Sequence, residues 1–203
     1  VNAFFRILFN NRTGATTLEQ AIFRSFDQGK HWEKADTRVA GLFVAGAFDP
    51  ELGVPVRDAG ELPTIAVNRT SGELYIAWQD SRFSPVGLVG VVISRSADGG
   101  TTWSDPVPVN RVAPDVQAFL PAVAVAADGT VGVLFYDFRN DVPADAQLST
   151  DVHLARFTAS LAPIDEIRVT PASFDLRQSV ITGARGYFPG DYVGLAAAGN
   201  AFV

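Results

Sequence analysis

Cysteine and methionine are both absent from the 203 residues, and histidine occurs only at positions 31 and 153. Without cysteine there is neither a disulfide framework nor a thiolate metal site. His31 and His153 alone leave a histidine metal centre or a Ser-His-Asp triad little to work with. Methionine is missing even at position 1, so the chain is expected to be processed, excerpted or incompletely recorded. No signal peptide is visible, a removed one would leave no trace, and the lack of cysteine is compatible with secretion. No apolar run approaches a membrane span; the richest, 86–93, is strand-sized. There is no phosphate-binding glycine loop, and a net charge of −6 argues against a nucleic-acid surface. What remains, 47% hydrophobic and 19% charged, is a globular composition long enough to bury one domain core.

The glycines and acids that are present fall into turns. Ser96-Ala97-Asp98-Gly99-Gly100-Thr101-Thr102-Trp103 lies between an alternating strand at 88–95 and another at 106–110, so it reads as a hairpin turn. Serine and aspartate can accept bonds from the turn's own N–H groups, glycine supplies positive φ, and tryptophan covers the apolar side. Ser25-Phe26-Asp27-Gln28-Gly29-Lys30-His31-Trp32 is a second copy. Two further segment types recur. Strands at 8–9, 77–78 and 134–136 end in the polar clusters Asn10/Arg12, Asp80/Arg82 and Asp137/Arg139, and small-residue strands are expected at 63–67, 121–125 and 192–196. Each unit then reads as four strands, A to D, with the serine-aspartate turn between C and D. The units exceed a minimal propeller blade of about 40–50 residues, and loops account for the excess.

The two turns resemble the Asp-box, S-x-D-x-G-x-T-W, of the neuraminidase repeat, on Ser25, Asp27, Gly29 and Trp32 and on Ser96, Asp98, Gly100, Thr102 and Trp103, with His31 in a threonine place. The resemblance implies an all-β, sialidase-like β-propeller of four-stranded blades. It would hold about three blades, half of a six-bladed ring, with the turns serving structure. The expected division is a part blade at 1–40, blades at 60–110 and 118–170, and the first strand of another at 190–203. The third unit lacks the box at 157–163, its strand D is expected at 167–170, and 171–190 reads as an irregular surface connection. Asn2-Ala3-Phe4 matches Asn200-Ala201-Phe202, so the chain starts and stops at one phase of the repeat. Three blades cannot close a ring. Either the chain is part of a longer protein, or two copies complete one ring as a homodimer.

Residues i and i+2 of a strand share a face, so each acid or amide can pair with its arginine. If strand B ends on one rim in every blade, Arg12, Arg82 and Arg139 surround one region suited to a carboxylate. They could equally be structural pairs inherited by duplication. By resemblance, a sialidase holds its substrate's carboxylate with three arginines and uses a tyrosine nucleophile and a carboxylic acid. Tyr136, Tyr187 and Tyr192 are the tyrosine candidates, and Asp137, Asp191, Glu61 and Glu166 the acids. Asp191 stands where the other A strands carry Leu62 and Leu120, at the axial mouth of the blade. Phe5-Arg6-Ile7-Leu8 approaches the family's F/Y-R-I-P string but lacks the proline. Asp98 and Asp128 each have a turn explanation, so no metal or cofactor is expected. The implied activity is release of sialic acid or a related acidic sugar, by a secreted or cell-surface protein acting on carbohydrate or glycoprotein. A non-catalytic carbohydrate- or protein-binding propeller is the alternative, since fold does not confer activity.

Overall fold

The computed structural model describes residues 1–113, 115–179 and 186–203. The first sheet runs β1 (Asn2–Phe9), β2 (Thr16–Phe23), β3 (Thr37–Gly41). The second runs β4 (Thr64–Val67), β5 (Leu74–Asp80), β6 (Gly90–Ser96), β7 (Val107–Pro108). The third runs β8 (Ala118–Val125), β9 (Val131–Asp137), β10 (Ser149–Phe157), β11 (Pro163–Arg168). β12 (Phe174–Asp175) pairs with the start of β10, a 3-10 turn follows at Leu176–Gln178, and β13 (Ala197–Ala198) forms a hairpin with β14 (Ala201–Phe202). Every strand pairing is antiparallel, and β4 to β7 and β8 to β11 share the same neighbour order. Among the described residues no helix is long and apolar enough to cross a membrane.

Strand β5 shows why the sheets stack. All seven of its residues are buried, because both its faces are covered. Leu74, Ile76 and Trp78 meet Ile22, Val39 and Leu42 of the first sheet. Tyr75 and Ala77 meet Val131, Val133 and Phe135 of the third. Each fully buried side chain of this size contributes about 1.5–3 kcal/mol, so sheet-on-sheet burial holds the array. A third core lies over one end of the sheets, where Ala47, Val56, Phe138, Leu148, Leu176 and Tyr187 of the connections gather on Phe119 and Leu120 of β8. On the outer face of sheet three, Gly132 leaves room for the ring of Phe202: a Cβ there would stand 2.5 Å from it.

The two serine-aspartate turns share one hydrogen-bond pattern. Gly29 N–H donates to Ser25 Oγ at 2.8 Å and His31 N–H to Asp27 Oδ1 at 2.8 Å. Gly100 N–H donates to Ser96 Oγ at 2.7 Å and Thr102 N–H to Asp98 Oδ1 at 2.9 Å. The Thr102 hydroxyl also bonds Asp98, and the His31 ring takes that part beside Asp27. Their surroundings differ. Trp103 packs into the core between sheets one and two, whereas Trp32 is 46% and Phe26 82% exposed.

Several expected boundaries move. No strand forms over 192–196; the ladder begins at Ala197, where β14 offers a partner, with Ala196 and Val203 exchanging bonds beside it. Strand D of the third unit is Pro163–Arg168 rather than 167–170, because β10 is paired along its whole second half. The connection 171–190 is not irregular throughout: it carries β12 and the 3-10 turn and buries Leu176 and Tyr187. Residues 180–185 of it lie outside the described residues.

Candidate functional site

The end of the array where β5 and β9 finish and β4 and β8 begin holds most of the expected site residues. Asp80 and Asp137 are buried there, each paired with its arginine two residues on. Arg82 Nη2 lies 2.7 Å from Asp80 Oδ2, and Arg139 Nε lies 2.7 Å from Asp137 Oδ2. Arg82 also donates to the Gly41 carbonyl and covers Phe43 and Trp78, and Arg139 reaches Glu166 at 2.5 Å. These guanidiniums are already committed to the protein's own acceptors. The first copy differs: Asn10 Oδ1 accepts the backbone N–H groups of Arg12 and Thr13, so no amide-guanidinium pair forms. Arg12 stands beside an open groove with Leu8, Phe9 and Thr17. Arg6 is likewise spent, on Glu19 and Asp36.

A different acid faces the middle of the array. A cavity of about 270 Å3 lies where the starts of β4 and β8 meet segment 191–193, and Asp58, Leu62, Pro63, Leu120, Asp191 and Tyr192 line it. Asp58 is 6% exposed. Its Oδ2 accepts from Ala47 N–H at 2.9 Å and Gln79 Nε2 at 2.8 Å, and no cation pairs with it among the described residues. Burial therefore pushes the Asp58 carboxyl above the ordinary aspartate range, and nearby Glu61 adds to the shift. A carboxyl whose pKa is raised in this way holds its proton more firmly than an ordinary aspartate, the direction a general acid needs.

The backbone around Asp58 is unusual on both sides of the cavity. Ala59 (φ 49°) and Leu120 (φ 51°) adopt the left-handed conformation, which costs a non-glycine residue roughly 1–2 kcal/mol. Next to Leu120 the register of β8 against β9 shifts between Phe119 and Ala122. Strained residues and bulges of this kind collect at functional sites, where surrounding contacts hold them.

Of the candidate tyrosines and acids, Asp191 and Tyr192 line this cavity. Asp191 sits in a two-pronged ion pair with Arg57, at 2.9 and 3.1 Å, and Tyr192 is 80% exposed at the mouth. Tyr136 and Asp137 do not line it. Tyr136 stacks on Phe119 and meets Phe174 edge-on, and burial raises its phenol, the direction opposite to that of an activated nucleophile. Asp137 faces Arg139, with His153 at 3.5 Å, and burial lowers the His153 imidazole. Tyr187 bonds the fully buried Asp49, which Arg177 also holds, tying the 171–190 connection over the loop before β4. Among the described residues no three His, Asp or Glu side chains are grouped to hold a metal.

No family model and no curated protein matches the sequence. Solved structures do. An α-L-arabinofuranosidase of Fusarium graminearum in complex with an iminosugar inhibitor aligns at TM-score 0.53 and 14% identity, over 86% of this chain and 47% of that one. An α-L-arabinanase of Penicillium chrysogenum complexed with arabinobiose aligns at TM-score 0.51 and 13% identity, over 96% of this chain and 48% of that one. The three sheets are propeller blades. A microbial sialidase is a weaker likeness, at TM-score 0.47 and 16% identity. At such identities the likeness concerns the fold, and the chain spans about half the length of the two fungal enzymes.

Within this propeller Asp58 is the residue that repeat-based reading passes over. Counting back four positions from Leu62, Leu120 and Asp191 reaches Asp58, Val116 and Tyr187. An acid thus stands where the other blades place an apolar or aromatic residue. The same departure singles out Asp191, and applying it one turn of chain earlier would have found Asp58.

Proposed function

We propose that this chain carries part of the active site of a glycoside-cleaving β-propeller, with Asp58 as general acid and Asp191 as its charged partner. The observation that carries this is a buried carboxyl, without a counter-ion among the described residues, opening on the axial cavity beside a second carboxyl held by Arg57. Two carboxyl groups in unlike environments are what glycoside hydrolysis requires: one donates a proton to the leaving oxygen, and the other stays charged beside the sugar. Tyr192 offers an exposed aromatic face against which a sugar ring can stack.

A neutral sugar fits this cavity best. Its walls are apolar and acidic, and Arg57 is already occupied by Asp191. The solved complexes named above contain arabinobiose and an iminosugar, which supports the same direction. The second reading is a sialidase-type enzyme acting on an acidic sugar, with Arg12, Arg82 and Arg139 holding its carboxylate. Arg12, with no ion-pair partner among the described residues, favours it. Secretion or cell-surface display, where glycans are met, goes with either reading, and so does completion of the ring by further chain or by a second copy.

The test uses protein with a complete ring, its mass in solution measured first. Fluorogenic arabinofuranosides and sialosides are offered to the native protein and to Asp58→Asn. Hydrolysis of the neutral glycoside that Asp58→Asn abolishes is the expected result. Hydrolysis of the sialoside lost in Arg12→Ala selects the second reading, and sugar binding without any hydrolysis selects the non-catalytic alternative.

A further inference from the structure

Among the described residues every other buried aspartate answers to an arginine, whereas the Asp58 carboxyl is held by neutral donors. Two donors converge on one of its oxygens, Oδ2: the Ala47 N–H and the Gln79 side-chain amide. Gln79 is itself 2% exposed, and its orientation is unambiguous. The Leu120 N–H, in the strained left-handed residue across the cavity, donates to Gln79 Oε1 at 2.9 Å. A backbone N–H must meet an oxygen, so the carboxamide oxygen faces Leu120 and the NH2 group faces Asp58. Oδ2 is thereby filled with donated hydrogens, and a proton placed on it would confront two N–H groups. Among the described residues Oδ1 accepts no side-chain or distant backbone hydrogen bond, and a Cβ at Gly60 would stand 3.3 Å from Gln79 Nε2 and 3.4 Å from Oδ1.

We propose that Gln79 is the positioning residue for Asp58: it clamps Oδ2 as an acceptor, so that Oδ1 is the oxygen that carries the proton and delivers it into the axial cavity. This rests on Asp58 being the acid of the site. The step is a simple transfer. The Oδ1–H bond breaks as the proton moves to the leaving oxygen, and the electron pair left behind is shared with Oδ2, where the two N–H donors stabilise it. The Leu120 strain acquires a purpose, since its N–H is turned toward Gln79 and fixes the rotamer of the clamp. Gln79 has no counterpart in the other blades, where the same position holds Phe9 and Tyr136, as expected of a residue serving one site. The other charges acting here are Glu61 on the same loop and Asp191 with Arg57 at the mouth.

The experiment follows carboxyl carbon and side-chain amide resonances of the native protein through a pH titration, and repeats it on Gln79→Glu and Gln79→Met. In the native protein the Gln79 amide protons are expected to move with the same midpoint as the Asp58 carboxyl carbon. In Gln79→Met the Asp58 midpoint rises, because a donor to the charged form is gone. In Gln79→Glu the two carboxyl groups titrate in separate steps. A Gln79 amide that stays flat while Asp58 titrates would overturn the proposal without requiring any variant to fold, as would an Asp58 midpoint that is the same in all three proteins. If Asp58→Asn retains glycoside hydrolysis while the native resonances titrate together, the coupling stands and the assignment of the acid fails.

Discussion

Asp58 and Asp137 are both buried aspartates at the same end of the propeller, yet they are held in opposite ways. Asp137 recurs as Asp80 in the preceding blade, and each copy has its own arginine two residues on. Asp58 recurs nowhere and has amide donors only. Asp151 extends the first pattern: burial pushes its carboxyl up, but Asn140, Thr170, Arg168 and Ser173 outweigh that and hold it down at about 2. The difference teaches that what a blade repeats is bracing, because every blade must fasten its own strand ends, whereas the acid proposed for the axial cavity occurs only once.

The largest effect that would sharpen this contrast is on catalysis. Asp58→Asn should lower glycoside hydrolysis by about 10²–10⁴-fold, the usual worth of a general acid, with the protein still folded by circular dichroism. Asp137→Ala should do the reverse. Arg139 keeps Glu166 but loses its other carboxylate, which costs about 1–3 kcal/mol, read as a drop in the urea midpoint, while sugar binding per folded molecule is unchanged. Loss of hydrolysis with full stability in Asp137→Ala would break the comparison.

A smaller effect separates the two serine-aspartate turns. Both glycines have positive φ, 86° at Gly29 and 89° at Gly100. Of the two, only Gly100 is tightly packed: a Cβ there would meet Ile22 of the neighbouring blade at 2.6 Å and Leu74 of its own blade at 3.0 Å. Gly29→Ala should cost about 1–2 kcal/mol for the backbone alone. Gly100→Ala should cost about 1–3 kcal/mol more for overpacking. Equal losses would show that the turns are packed alike. Smallest is Tyr192→Ala, which should leave stability unchanged and weaken sugar affinity by up to about tenfold, the worth of one exposed aromatic contact of roughly 0.5–1.5 kcal/mol.

Much of the fold was legible in the sequence because repeats announce themselves. The alternation in 74–80, the paired Asp-Arg endings and the Ser-Asp-Gly turns all survive as sheets, ion pairs and hydrogen-bonded turns. Strand ends near 192 and 163 were less legible, since whether a segment joins a ladder depends on which neighbour reaches it. The site was legible only where a residue broke the repeat, at Asp191. Asp58 stayed hidden because its importance comes from burial by Ala47 and Gln79, residues far from it in sequence. The exposure of Trp32 was hidden for a similar reason: the turn's own bonds are local, but the side chains that cover Trp103 come partly from another blade, and Trp32 has no such cover among the described residues.

The account turns on Asp58 being buried without a cation, and the stability difference between the native protein and Asp58→Asn at two pH values tests this directly. With its folded-state carboxyl raised above the unfolded value near 3.9, native Asp58 binds more protons than the unfolded chain between those two values, so its contribution to stability falls as pH rises through that window. Asparagine has no such loss. Urea denaturation should therefore find Asp58→Asn gaining on the native protein between pH 3.5 and pH 7.5. A native protein that gains on Asp58→Asn over the same interval would mean that Asp58 is braced by a cation as Asp137 is by Arg139, and would contradict the account.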